Sequence, residues 1–301
     1  MSKTLLNLLI DKMDAKSNPC AKHLKQAAND LTPDELSELE KLIDIFQKQG
    51  FSLDFQCSAY QQVLDMTIQE SKYFMEHGSY RYSTFEDVAD KVYFNEPYMK
   101  NYMIGLALTQ YLWAIHKNCY QYFINSLENV KRCDNYVEIG PGHGGYFYQA
   151  IKSGKFINCT AIDVSETSLA MTKAFVESHD IHSGGANVQY LHKDVNSIVG
   201  EDLYDFLVMC EVLEHVEEPE KILRSLRRIL KKGGMAYLSI PINAPEIDHI
   251  KLFKSPEEVT ALLNNAGFVI KEQKLFCSNG NKLERALKFK EPASTGISTK
   301  V

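Results

Sequence analysis

Two patterns of apolar and polar residues divide the chain near residue 130. Before it, apolar residues recur at helical spacing between capping signals. The stretch LTPDELSELEKLIDIFQKQG places Thr32 as N-cap, Pro33 in the first turn, Glu35 at the reciprocal capping position and Gly50 as a stop. STFEDVADKVY and the stretch from Pro97 to Leu127 continue in that style, and no Asn-Gly or Asp-Gly turn separates alternating strands there. After residue 130, short apolar runs alternate with amphipathic stretches. NYVEI, INCTAID, VQYLH, DFLVMC, MAYLSIPI, FVIKEQKLF and ERALKFK read as strands, with helices over 166–178, 218–231 and 256–266. Ser255, Pro256 and Glu258 announce the last of these helices and Gly267 ends it. The alternation predicts an α/β fold whose mostly parallel sheet is covered on both faces. The expected organisation is a helical part over 1–130, an α/β domain over 131–291 and a flexible tail over 292–301, where small polar residues dominate.

Composition narrows the function classes. Hydrophobic residues make up 45% and charged residues 24%, an ordinary balance for a folded chain of 301 residues. The net charge of -6 disfavours broad binding to a phosphate backbone, so nucleic acid is not an expected partner. Seven cysteines, with no C-x-x-C pair, read as reduced thiols in a cytoplasmic protein. No stretch approaches the ~18 apolar residues of a membrane span, so no membrane partner is expected.

The chemistry concentrates after the first strand of the second part. Gly140, Gly142, Gly144 and Gly145 follow VEI, where a strand-to-helix turn is expected. Such a turn either packs closely or lets a ligand lie against the main chain. The spacing alone admits a nicotinamide cofactor, because Gly145 completes G-x-G-x-x-G. The acids decide against it. Glu138 precedes the glycines, Asp163 ends the second strand and Asp194 follows the third, with Val195 beside it. A carboxylate ending the second strand suits the two ribose hydroxyls of an adenosine. Asp194 and Val195 suit the adenine amino group and ring. Three carboxylates repel a pyrophosphate and tolerate a sulfonium and an amino-acid head group, which favours S-adenosyl-L-methionine.

VEIGPGHGG, AIDVS, HKDV, CEVLEHVEEP, LRRILKKGGMAYLSIP and SPEEVTALLNNAGF, in this order and spacing, resemble the class I S-adenosylmethionine-dependent methyltransferases over residues ~130–290. The resemblance implies a Rossmann-like sheet of seven strands in the order 3-2-1-4-5-7-6, the seventh antiparallel. It also implies a cofactor site lined by Glu138, Gly140, Gly142, Gly144, Asp163, Val164, Asp194, Val195 and Cys210. The helical N-terminal part enters only as an appended cap.

Acceptor chemistry is expected over the fourth and fifth strands. Glu211, Glu214 and His215 fall at i, i+3 and i+4, one face if CEVLEHVEEPE opens a helix. His249 follows the fifth strand in PINAPEIDHIKLF, with Asp248 before it. The expected general base is His249, taken as a solvated loop residue, with His215 second, and no metal is assigned. The alternative is a divalent cation held by Glu211, Glu214, His215 and His249, because the E-x-x-E-H set with a downstream histidine resembles the metal-binding sets of small-RNA 2′-O-methyltransferases and ubiquinone-biosynthesis O-methyltransferases. His143 is either a contact in the glycine loop or a solvated residue. Tyr98, Tyr102, Tyr111 and His116 belong to a buried helical core or to a lid over an apolar acceptor, and the same helices can form a homodimer seam. The expected function is methyl transfer to a small-molecule acceptor of specialised metabolism, at oxygen, nitrogen or carbon. The alternatives are a metal-assisted RNA 2′-O-methyltransferase and a non-catalytic cofactor-binding regulatory subunit.

Overall fold

The computed structural model describes residues 4–15, 20–179, 185–278 and 282–301. The first part carries helices α1 (Leu5–Ala15), α2 (Cys20–Asn29), α3 (Pro33–Lys48), α4 (Leu53–His77), α5 (Phe85–Val88), α6 (Glu96–Leu112) and α7 (Ala114–Glu128). Local chemistry sets their ends. Thr32 Oγ1 accepts the Glu35 amide at 3.2 Å, and the Glu35 carboxylate accepts the Thr32 amide at 2.8 Å, so the capping box starts α3. Gly78, at φ +69°, ends α4 in the left-handed conformation that glycine adopts without strain. A π-helical turn, Ala89–Tyr93, follows α5 directly.

The second part contributes strands β1 (Cys133–Ile139), β2 (Phe156–Asp163), β3 (Asn187–His192), β4 (Tyr204–Cys210), β5 (Leu230–Ile242), β6 (Val269–Cys277) and β7 (Ala293–Lys300). Between them lie α8 (Gly145–Lys152), α9 (Glu166–Glu177), α10 (Pro219–Ile229), α11 (Pro256–Asn265) and α12 (Leu283–Phe289). One seven-stranded sheet runs in the order β3-β2-β1-β4-β5-β7-β6. The pairs from β3 to β5 are parallel, and β7 lies antiparallel to both β5 and β6. Side chains alternate between two cores, as a period of two requires. Phe206 and Val208 face the layer that includes α7, α8 and α9, whereas Leu207 and Met209 face α10 and α11.

Two expectations are corrected. ERALKFK is not a strand: residues 283–289 form α12, with Ala286 buried. Residues 292–301 are not a flexible tail, since β7 fills the gap between β5 and β6. Its residues are small because α7 presses on it. A Cβ on Gly296 would lie 2.5 Å from Tyr122 Cδ1, and Ser294, Thr295 and Thr299 are buried. A strand selected for close approach loses the apolar signature that marks its neighbours. Across the change of sequence character near residue 130 the core is continuous. One apolar cluster runs from Leu9 and Leu39 through Phe123 to Tyr136 and Tyr237. The Tyr237 hydroxyl donates to the Cys119 carbonyl at 2.9 Å, which fastens α7 to β5.

The six described cysteine thiols are unbridged, and the side chain of Cys20 lies outside the described residues. No described helix is long and apolar enough to cross a membrane.

Candidate active site

The strand order reverses between β1 and β4, and a cavity of ≈510 Å³ opens there beyond the carboxyl ends of the strands. The strand ends and their loops form its floor, and α6 with the π turn forms its roof. Gly140 has φ +67°, and a Cβ on it would stand 2.6 Å from Val212 Cγ2. A Cβ on Gly144 would come within 3.1 Å of the Thr172 backbone. Gly142 differs. It lines the cavity, and a Cβ there would meet only Met103 Sδ, at 3.7 Å. Two glycines therefore serve packing, while Gly142 leaves the main chain bare toward the cavity. Thr172 Oγ1 donates to its carbonyl at 2.8 Å, fixing the turn from α9.

Among the residues expected to hold a cofactor, Glu138, Gly140, Gly142, Asp163, Val164, Asp194, Val195 and Cys210 all line this cavity, and Gly144 stands behind it. Asp163 accepts the Ser165 amide and the Ser168 hydroxyl, each at 2.8 Å. Burial raises its pKa, and these hydrogen bonds oppose the rise. Two of roughly four acceptor positions are thereby used, which leaves capacity for a ligand diol. Glu138 is 2% exposed, and burial pushes its carboxyl up to about 8, against the Tyr136 hydroxyl that donates to it at 2.5 Å. Asp194 takes the Asn196 amide at 2.8 Å to cap a short 3₁₀ turn, which seats the buried Val195 in the wall.

The second chemical group gathers at the ends of β4 and β5. The expected helix over Glu211, Glu214 and His215 is absent. Glu211 has φ +53°, and a 3₁₀ turn, Leu213–His215, precedes α10. Ser239 and Ser294 donate to Glu211 Oε1 at 2.5 and 2.9 Å, which anchors this strained residue on β5 and β7. Glu214 is 0% exposed, and neither carboxylate oxygen has a hydrogen-bond partner among the described residues. Its main-chain carbonyl accepts the amides of Ile250 and Lys251 at 2.8 and 2.9 Å, so the loops after β4 and β5 are tied together. His249 is a further correction, since its side chain is 7% exposed and not solvated. Its Nδ1 donates to the Ala244 carbonyl at 2.6 Å, and burial holds the imidazole down to about 3. His215, at 18% exposure, donates from Nδ1 to the Asp248 carbonyl at 3.0 Å. The Nε2 atoms of His215 and His249 lie 3.5 and 3.8 Å from Glu214 Oε1. The ligand atoms of Glu214, His215 and His249 lie within 4.8 Å of one another.

Of these residues, Glu211, His215 and His249 line the cavity, and Glu214 sits immediately behind the imidazoles. His143 also lines it, yet its Nδ1 accepts the Gly145 amide at 3.2 Å, which gives it a role in the turn. The cap contributes Tyr102 and His116 to the wall, whereas Tyr98 bonds Met66 Sδ and Tyr111 packs on Tyr120. Sequence reasoning missed Tyr93, which lines the cavity from the π turn. The density of Tyr and Phe over residues 80–102 was the available signal.

Residues 137–238 match the family described as a methyltransferase domain. The chain is similar to the ubiquinone biosynthesis O-methyltransferase of Rickettsia canadensis, 26% identical over 153 residues, covering 44% of this chain and 62% of that protein. It is also similar to the enzyme of the same name from Pseudomonas aeruginosa, 32% identical over 105 residues, covering 34% of this chain and 42% of that protein. The chain thus spans less than two thirds of the length of these relatives. Among solved structures, phosphoethanolamine N-methyltransferase 2 of Haemonchus contortus, in complex with S-adenosyl-L-methionine, superimposes with a TM-score of 0.54 at 12% identity, covering 73% of this chain and 60% of that one. That likeness concerns the fold.

Proposed function

We propose, on the premise that the α/β part of this chain is a class I methyltransferase domain, that the protein transfers a methyl group from S-adenosyl-L-methionine to a hydroxyl of a small-molecule acceptor. One observation carries the reading. The bare Gly142 turn, Asp163 and the two histidines His215 and His249 line a single cavity. The residues fit the cofactor. Gly142 leaves a cradle that a Cβ would enter, Asp163 keeps free acceptor capacity, and Glu138 offers a buried carboxylate beside the turn.

When bound, the cofactor supplies an electrophilic methyl group on a sulfonium. The chain's own residues do the rest. Asp163 takes the ribose hydroxyls, Asp194 and Val195 hold the adenine, Val164 and Cys210 line the cofactor's place, and Glu138, Gly140 and Gly142 hold the amino-acid end. An oxygen acceptor carries a proton that must leave, and a positioned imidazole can take it. The more open His215 suits this role at Nε2, because the burial that keeps His249 neutral also makes it a weak base. The names of the matched relatives support oxygen as the methylated atom, and the net charge of -6 supports a small molecule over RNA.

A specific observation favours a second reading of the same group. A buried carboxylate without partners costs several kcal/mol unless a cation or proton offsets it. Glu214 is such a group, with two correctly oriented imidazoles beside it. Glu214, His215 and His249, with Glu211 adjacent, would hold a divalent cation that supplies Lewis-acid polarisation of an acceptor oxygen. The test of the main reading is incubation with S-adenosyl-L-methionine and a library of hydroxylated metabolites. Gain of one methyl mass by an acceptor supports it, and absence of cofactor binding by calorimetry overturns it. Loss of activity on chelation, restored by Mg²⁺ or Mn²⁺, separates the cation reading from simple acid–base chemistry.

A further inference from the structure

We propose that the helical cap completes the reactive group: Tyr93 and Tyr102 clamp Asp248, and Asp248 fixes the ring of His215 in the cavity wall through its Nδ1. Asp248 and the two tyrosines are then positioning residues. The inference rests on the reading of the imidazole group given above, and it adds a role for residues outside the methyltransferase core.

Tyr93 donates its hydroxyl to Asp248 Oδ2 at 3.1 Å, and Tyr102 donates to Oδ1 at 3.4 Å, so each carboxylate oxygen has its own phenol. Asp248 is 2% exposed, and a carboxylate so placed stays put only while hydrogen-bonded. Its other side faces His215, whose Nδ1 lies 3.0 Å from the Asp248 carbonyl and 3.5 Å from Oδ2. A neutral imidazole carries one proton, and both neighbours of Nδ1 are acceptors. In that neutral form the proton belongs on Nδ1. The Tyr93 ring also stands edge-on to His215, with centroids 6.0 Å apart at 82°.

Tyr93 is carried by a strap, residues 85–93, that lies over the cavity, and Tyr102 by α6. Tyr93 ends the π turn, a backbone form that recurs at functional sites. The same strap is pinned at two further points. The Phe85 amide donates to Glu217 Oε1 at 2.9 Å, and Ser165 Oγ donates to the Tyr93 carbonyl at 3.4 Å. Glu217 lies two residues past His215, and Ser165 lies in the loop after β2, so the strap spans both sides of the cavity mouth. The strap thus covers the cavity and carries one of the two tyrosines that orient His215 through Asp248.

The experiment is histidine ¹⁵N NMR on the full chain. Native protein is expected to show His215 as a single Nδ1-protonated tautomer. The double substitution Tyr93→Phe with Tyr102→Phe keeps both rings and removes both hydroxyls, and it is expected to give a mixture of tautomers. Asp248→Ala, checked for folding by near-ultraviolet circular dichroism, is expected to do the same, with Asp248→Asn restoring most of the native signal. An unchanged single tautomer in the double phenylalanine variant overturns the inference. Mn²⁺ titration followed by electron paramagnetic resonance gives an independent readout. If native chain binds Mn²⁺, the double variant should bind it ~10–100-fold more weakly, and equal binding also overturns the inference. Native chain that binds no Mn²⁺ defeats the cation reading alone, and the tautomer comparison still decides the clamp.

Discussion

Asp163 and Asp248 are carboxylates on the wall of one cavity, yet their partners come from different distances along the chain. Asp163 is held by residues two and five positions away, in the same strand-to-helix turn. Asp248 is held by residues 146 and 155 positions away, in the cap. The proposed cofactor end is thus built largely from local turns. The proposed acceptor end also draws on α6 and the strap, which carry Tyr102 and Tyr93. This difference teaches where change is tolerated. The local end can be kept through large changes in the cap, and the long-range end can be retuned by altering the cap alone.

The comparison breaks most visibly at His215. His215→Ala should lower turnover ~10²–10⁴-fold while cofactor affinity stays within ~2-fold, as expected for loss of a positioned base. Single-turnover kinetics on the acceptor found by the library screen, with calorimetry beside it, checks both halves. Cofactor affinity falling in parallel would mean the two ends are not separable. Asp163→Ala is the mirror test. Removing the diol acceptor should weaken S-adenosyl-L-methionine by ~1.5–3 kcal/mol, the range for hydrogen bonds to a charged group. Unchanged calorimetric affinity would remove Asp163 from the site.

The same difference explains what could be read from the residues. Gly140, Asp163 and Asp194 stood out because each sits at a strand end that its own flanking residues announce. The order of the sheet followed from the motifs, although the residues forming its seventh strand did not. ASTGISTK has one large apolar residue, Ile297, because Tyr122 and Tyr237 leave room only for small ones above Gly296. Glu214 and His249 were found as residues, but their burial was not. It arises from the tie between the Glu214 carbonyl and the Ile250 and Lys251 amides, which no local pattern encodes. Tyr93 could not be separated from its aromatic neighbours, since its role depends on a partner 155 positions away.

Smaller effects sharpen the comparison. Gly296→Ala should destabilise the fold by ~1–3 kcal/mol, the cost of overpacking, because the new Cβ meets Tyr122 of α7. Urea denaturation measures the loss. In the folded fraction, cofactor affinity should hold within ~2-fold, because the strain falls on the cap side of the sheet.

The pH dependence of stability gives the smallest effect. Burial holds His116 down to about 4, whereas an unfolded histidine takes up its proton near 6.5. Between these values the unfolded chain binds more protons, so stability falls as pH drops from about 6.5 toward 4. His116→Gln should reduce that fall by on the order of 1 kcal/mol between pH 7 and pH 5. Identical urea midpoints for native and variant chains across that range would contradict the buried neutral state.

A crystal structure of the chain with S-adenosyl-L-homocysteine tests the central assignment most directly. The ribose hydroxyls are expected within hydrogen-bond distance of the Asp163 carboxylate, the adenine beside Asp194 and Val195, and the sulfur pointing toward His215. Density for the ligand elsewhere, or none at a saturating concentration, would contradict it.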